Sequence, residues 1–197
     1  MLDMHRKELA RREPRLVEIL VQHMDSSSLK VQSEAAFALH NLACDGECQS
    51  PTPRDILLTT TTDNYQLEIV KANGLNPLLR LLQSPHHDSI YAAASCVSNL
   101  TLQPTNHSPI IDAGFLQPLV ALLAFKDNEK TQLRAAGTLR NLSTSPGINR
   151  QAVVNAGAVQ SIKELILEMP MRIQIPMTRC IEDLSKSGMG PPFDRLL

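Results

Sequence analysis

Tryptophan is absent from this chain, and aromatic residues of any kind make up only 3 % of it. A core of large stacked rings is therefore excluded. The apolar residues are mostly Leu, Ile, Val and Ala, which suits helix packed on helix. No stretch reaches the roughly 18 consecutive apolar residues of a membrane-spanning helix. Charge of one sign is not in excess: 19 Lys and Arg face 20 Asp and Glu, for a net charge of −1. That balance gives no reason to expect nucleic acid as a partner. The four cysteines, Cys44, Cys48, Cys96 and Cys180, contain no Cys-x-x-Cys pair. Reduced thiols in a cytosolic setting are the simple reading, with no zinc site.

Chemistry is equally sparse. There is no Gly-x-Ser-x-Gly, no His-Glu-x-x-His and no phosphate-cradling glycine loop. Ser95 and Cys96 have no recognisable base beside them in the sequence. His86, His87 and Asp88 read as solvated loop residues that start a helix. No catalytic residue, cofactor or metal is expected. The opening "MLDMHRKELARREP" is a charged helix pattern rather than a signal peptide. It lacks the glycine after Met1 that myristoylation requires. Asn99, Asn106 and Asn141 match the N-glycosylation pattern but, without a secretory signal, would never meet the transferase.

What is present is repetition. "AAFALHNLA" (35–43), "AASCVSNLT" (93–101) and "AAGTLRNLS" (135–143) are one phrase written three times. Asn99 to Asn141 is 42 residues, and Asn141 to Asp183 is 42 again. A period near 42 belongs to the armadillo and HEAT class of helical repeats. Each repeat reads as a short helix, a second helix after a glycine, and a longer third helix carrying the asparagine. Gly74, Gly114 and Gly157 recur at 40 and 43 residues, and Gly114 and Gly157 suit a sharp turn where a side chain would crowd the approach. Pro77 and Pro118 fit the first turn of a second helix. Asp88 and Asp127 are the expected caps of their third helices.

On the third helix, Ala135, Leu139 and Leu142 fall at i, i+4 and i+7 and should face the core. Arg134, Gly137 and Asn141 form a stripe turned away from it. In a solenoid the third helices line a concave surface. The expected peptide groove therefore holds Asn41, Asn99 and Asn141, whose amides can each satisfy a partner's backbone N–H or C=O. Phe37, Ser95 and Gly137 lie one turn before them, and Glu34 and Arg134 tune charge preference. The competing reading is a local carbonyl bond or cap. If the side chains point outward, replacing Asn99 and Asn141 by alanine should weaken partner binding and leave folding little affected.

The first interval is longer, 58 residues from Asn41 to Asn99. The surplus, about 46–62, has two prolines and four consecutive threonines. It reads as a surface loop with Ser50 and Thr52 as candidate phosphosites, or as an unspliced intron kept in frame.

"EPRLVEILVQHMDSSSLKVQSEAAFALHNLACD", "YQLEIVKANGLNPLLRLLQS" and "IIDAGFLQPLVALLAFKDNEKTQLRAAGTLRNLSTS" together resemble consecutive repeats of the fungal vacuolar branch of the armadillo family. The resemblance spans residues 1 to 175 apart from the surplus. It implies an all-α, right-handed superhelical solenoid of about four three-helix repeats. The divisions are 1–45, 64–101, 102–143 and a degenerate 144–187, with an inserted loop at 46–63 and a tail at 188–197. It also implies a non-enzymatic scaffold on the cytosolic face of the vacuolar membrane. Its groove would recruit protein adaptors for vacuole inheritance, fusion and cytoplasm-to-vacuole targeting linked to autophagy. The family's groove asparagine falls on Asn41, Asn99 and Asn141. Asp183 replaces it in the fourth repeat, and Pro176 should kink or break that helix. With no acylation signal and few repeats, the chain reads as a soluble internal fragment, a truncated paralogue or a mispredicted gene product. Two alternatives stand beside the scaffold. A carrier of basic peptides would need tryptophan where Phe37, Ser95 and Gly137 stand. A structural fragment would have no binding of its own.

Overall fold

The computed structural model describes residues 12–44, 64–145 and 147–185. The inserted stretch 46–63, with Cys48, Ser50 and Thr52, and the tail 188–197 lie outside the described residues. The chain divides into two compact units, Met1–Asn106 and His107–Leu197. Among the described residues every regular element is helical.

The first unit holds α1 (Leu16–His23), α2 (Leu29–Ala43), α3 (Tyr65–Lys71), α4 (Leu75–Leu82) and α5 (His87–Leu100), then a 3-10 turn at Pro104–Asn106. The second holds α6 (His107–Asp112), α7 (Leu116–Leu122), α8 (Glu129–Ser143), α9 (Ile148–Asn155), α10 (Ala158–Leu165), a 3-10 turn at Ile166–Glu168, and α11 (Met171–Ser185). The short–medium–long triplet read from the sequence is complete in α3–α5, α6–α8 and α9–α11. In each unit the long helices pack side by side, α2 on α5 and α8 on α11. Their small residues permit this: Ala36, Ala92, Ala93, Ala135 and Ala136 are all fully buried. Leu39, Ile69, Leu78 and Leu100 fill the first core, and Phe115, Leu119, Leu139, Leu142 and Ile162 the second.

The turn before each second helix corrects the glycine register. The left-handed residue is Gly114 at φ 90° and Gly157 at φ 81°, but in the first unit it is Asn73 at φ 62°. Asparagine tolerates that region better than other non-glycine residues because its side chain bonds locally. Gly74 therefore aligns with Phe115 and Ala158, and its own requirement is space. A Cβ there would sit 2.8 Å from the Ile69 side chain and 2.9 Å from the Ile69 carbonyl. At Gly114 and Gly157 nothing lies within 4 Å of the same position, so backbone conformation, not crowding, selects glycine.

Two other local expectations change. The Asn128 side chain, not Asp127, caps α8, accepting from Thr131 N at 3.1 Å. At α5 the N-cap is His86, and Asp88 sits within the first turn, where a carboxylate still favours the positive helix end. Pro176 neither ends nor splits α11, which runs unbroken from Met171 to Ser185. Proline forfeits one i→i−4 bond, and the buried row Ile173, Met177, Cys180 and Leu184 holds the helix in place. Three long helices also carry a latch not legible beforehand. Their fourth residues, Gln32, Gln132 and Gln174, donate back to carbonyls of the preceding connection, those of Ser26, Leu123 and Met169.

Candidate functional site: the long-helix faces

The asparagines differ in depth. Asn41, near the end of α2, is exposed, and Asn141, near the end of α8, is half-buried. Asn99, at the corresponding place on α5, is only 6 % exposed. Its Nδ2 donates to the His40 carbonyl on α2 at 3.0 Å and lies 3.0 Å from His40 Nδ1. The condition attached to replacing Asn99 and Asn141 together, that both side chains point outward, is not met at Asn99, whose amide reaches from α5 to the α2 backbone. Its Oδ1 accepts no hydrogen bond among the described residues and is not sealed from solvent.

Around it, Glu34 is exposed and Phe37 is half-buried. The Phe37 ring meets Tyr91 of α5 with centroids 5.7 Å apart and planes tilted by 59°. Ser95 is fully buried, and its Oγ has no hydrogen-bond partner among the described residues; its carbonyl lies 3.1 Å from His40 Nδ1. Unit one thus brings Glu34, Phe37, Asn41, Ser95 and Asn99 onto the neighbouring helices α2 and α5. Arg134, Gly137 and Asn141 are half-buried on α8, opposite the fully buried Ala135, Leu139 and Leu142. Sequence reasoning missed His40 and Tyr91. The phrase "LHNL" held the only hint, a titratable ring next to a groove amide.

In the second unit Asp183 of α11 takes the asparagine position beside α8. It and Arg140 bear in opposite senses on the Cys180 thiol, which burial pushes up to about 11. Burial pushes Cys96 up to about 12. Both thiols are thereby kept from the nucleophilic thiolate form. The glycosylation match at Asn106 is occupied structurally, its Nδ2 donating to the carbonyls of Gln66 and Leu100 at 3.1 Å each. His86, His87 and Asp88 are exposed. No group of three His, Cys, Asp or Glu side chains among the described residues could hold a metal ion.

The Armadillo/beta-catenin-like repeat family model matches residues 62–102 and 108–144. Vacuolar protein 8 of Schizosaccharomyces pombe is 46 % identical over 183 residues, covering 93 % of this chain and 30 % of that protein. The repeats at 62–102 and 108–144 belong to the armadillo family. Vacuolar protein 8 of Candida albicans is 42 % identical over 178 residues, 90 % of this chain and 28 % of that protein. The chain thus spans less than a third of the length of these relatives. A solved structure of computationally designed armadillo repeat proteins for modular peptide recognition superposes with a TM-score of 0.73 at 20 % identity. That match covers 85 % of this chain and 63 % of the designed one, and confirms the armadillo fold. No helix among the described residues is long and apolar enough to cross a membrane.

Proposed function

We propose that the chain is a non-enzymatic adaptor whose long-helix faces take an extended or helical segment of a partner protein. Its setting is the cytosolic face of the vacuolar membrane, in the inheritance, fusion and targeting processes that the resemblance implies. The observation that carries this reading is the α2–α5 face. Two aligned helices there present the exposed Glu34 and Asn41, the half-buried Phe37–Tyr91 pair and the unengaged Asn99 Oδ1. Such a face offers hydrogen bonds to a backbone and an apolar shelf for side chains. In the second unit Arg134 and Asn141 supply the same kind of contact with a positive charge added.

The test is retention of a partner from an extract of fungal vacuolar membranes, with contacts mapped by cross-linking. A retained protein should cross-link to the α2–α5 or α8–α11 faces. The double variant Asn41→Ala, Asn141→Ala should bind it roughly tenfold or more weakly, since each lost backbone bond is worth about 1 kcal/mol. Equal retention by both chains, or cross-links confined to α1, α4 and α7, would count against the groove.

A further inference from the structure

His40 stands between two contacts that it cannot both satisfy with one nitrogen. Its Nδ1 lies 3.1 Å from the Ser95 carbonyl and 3.0 Å from Asn99 Nδ2. As a donor it serves Ser95; as an acceptor it serves Asn99. The Ser95 carbonyl lies inside α5 and already takes the backbone N–H four residues on. Forgoing a second bond there costs little. The Asn99 amide has no such reserve. One Nδ2 proton goes to the His40 carbonyl, and the other faces Nδ1 in a site where Asn99 is 6 % exposed. Leaving a covered N–H unsatisfied is the dearer choice. Turning the amide over does not help, because Oδ1 would then face the His40 carbonyl oxygen at 3.0 Å, acceptor against acceptor.

We infer that His40 is a positioning residue, held with its proton on Nε2 so that Nδ1 and the His40 carbonyl together fix the Asn99 amide nitrogen inward and leave Oδ1 as an acceptor on the α2–α5 face. This rests on the groove reading above and sharpens it. At Asn99 the partner must bring a donor, a backbone N–H or a side-chain amide or cation, and a partner offering only a carbonyl there is refused. The asparagine of an armadillo face is otherwise ambivalent, since a free amide can present either end. Here the residue next to Asn41, on the adjacent helix, removes that freedom.

The tautomer is read directly from the imidazole nitrogens of the 15N-labelled full chain, with His40 assigned by the signals lost in His40→Asn. Nδ1 should be unprotonated and Nε2 protonated; a proton on Nδ1 would overturn the inference whether or not any partner binds. The presented end is read with two backbone mimics below the concentrations that alter the backbone spectrum. N-methylacetamide, which has an N–H, should shift the Asn99 side-chain carbonyl signal, and N,N-dimethylacetamide, which has none, should not. Equal shifts from both would overturn the acceptor assignment. His40→Asn, which keeps an acceptor near Nδ1, should preserve most of that difference, whereas His40→Leu, which keeps only the backbone carbonyl, should clearly reduce it. Retention of the full difference in a folded His40→Leu chain would show that His40 positions nothing. A partner that fails to bind while the tautomer and mimic results stand would count against the groove alone.

Discussion

The two units use one repeat plan and join their repeats differently. In the first, most cross-links are short neutral hydrogen bonds laid inside, beside an exposed ion pair of Arg80 with Asp25. Ser33 and Ser89 hydroxyls meet at 2.8 Å, Asn99 reaches the His40 carbonyl, and Gln66 donates to the Ala43 carbonyl at 3.0 Å. In the second, two ion pairs lie on the surface, Lys126 with Glu168 at 2.7 Å and Arg172 with Glu129, beside a buried contact of His107 Nδ1 with Ser145 Oγ. Large apolar side chains are also more open there, with Ile148 at 87 %, Leu167 at 90 % and Met171 at 70 %. Among the described residues of the first unit the most exposed is Leu102 at 60 %. The lesson is that a shared helical register fixes where repeats touch, not what holds them. Buried amides resist salt and protonation; exposed pairs are worth little and are screened.

The broadest test of that contrast asks whether the cores, as opposed to the seams, are alike. Leu39→Ala and Leu139→Ala remove equivalent side chains, each fully buried. Both should cost about 2–5 kcal/mol in denaturant unfolding. A markedly smaller loss at Leu139 would mean that the second core is loose, not only its seam. Next in size is Asn99→Ala, expected to cost about 1–3 kcal/mol because a covered polar contact is broken. An unchanged midpoint would show that the amide does not tie α5 to α2.

The smallest effect is acid. The Arg172 guanidinium and the Lys126 ammonium hold the Glu129 and Glu168 carboxyls below their ordinary range. A carboxyl with a depressed folded pKa lends stability above its unfolded value of about 4.3, and loses it as pH falls through the folded value. Hydrogen exchange should therefore show α11 losing protection before α5 as pH drops below about 4.3. Added salt should move α11 in the same direction. Simultaneous loosening of both helices would erase the distinction between the units.

Much of this was legible in the sequence, at the level of period. The 42-residue spacing, the core row Ala135–Leu139–Leu142 and the prolines of α4 and α7 all follow from helical geometry. Depth was not legible. A stripe shows which side of its own helix Asn99 occupies, but the neighbour that covers it, His40, lies 59 residues away. The glycine register slipped because Asn73 supplies the left-handed turn, so that the visible Gly74 marks a tight approach instead. The caps shifted by one or two residues, since Asp and Asn compete for the same amide and only geometry chooses between Asp127 and Asn128. Pro176 was read by its local cost, and four buried side chains of α11 outweigh that.

The glutamine latches have a consequence for how such repeats can be rearranged. The amide side chain reaches a carbonyl six residues back from Gln32, nine back from Gln132 and five back from Gln174. One side chain, always fourth in its helix, thus accommodates linkers of unequal length. Insertions or deletions between the second and third helices should leave the hinge secured, so that modules with different linkers can be exchanged while these glutamines are kept.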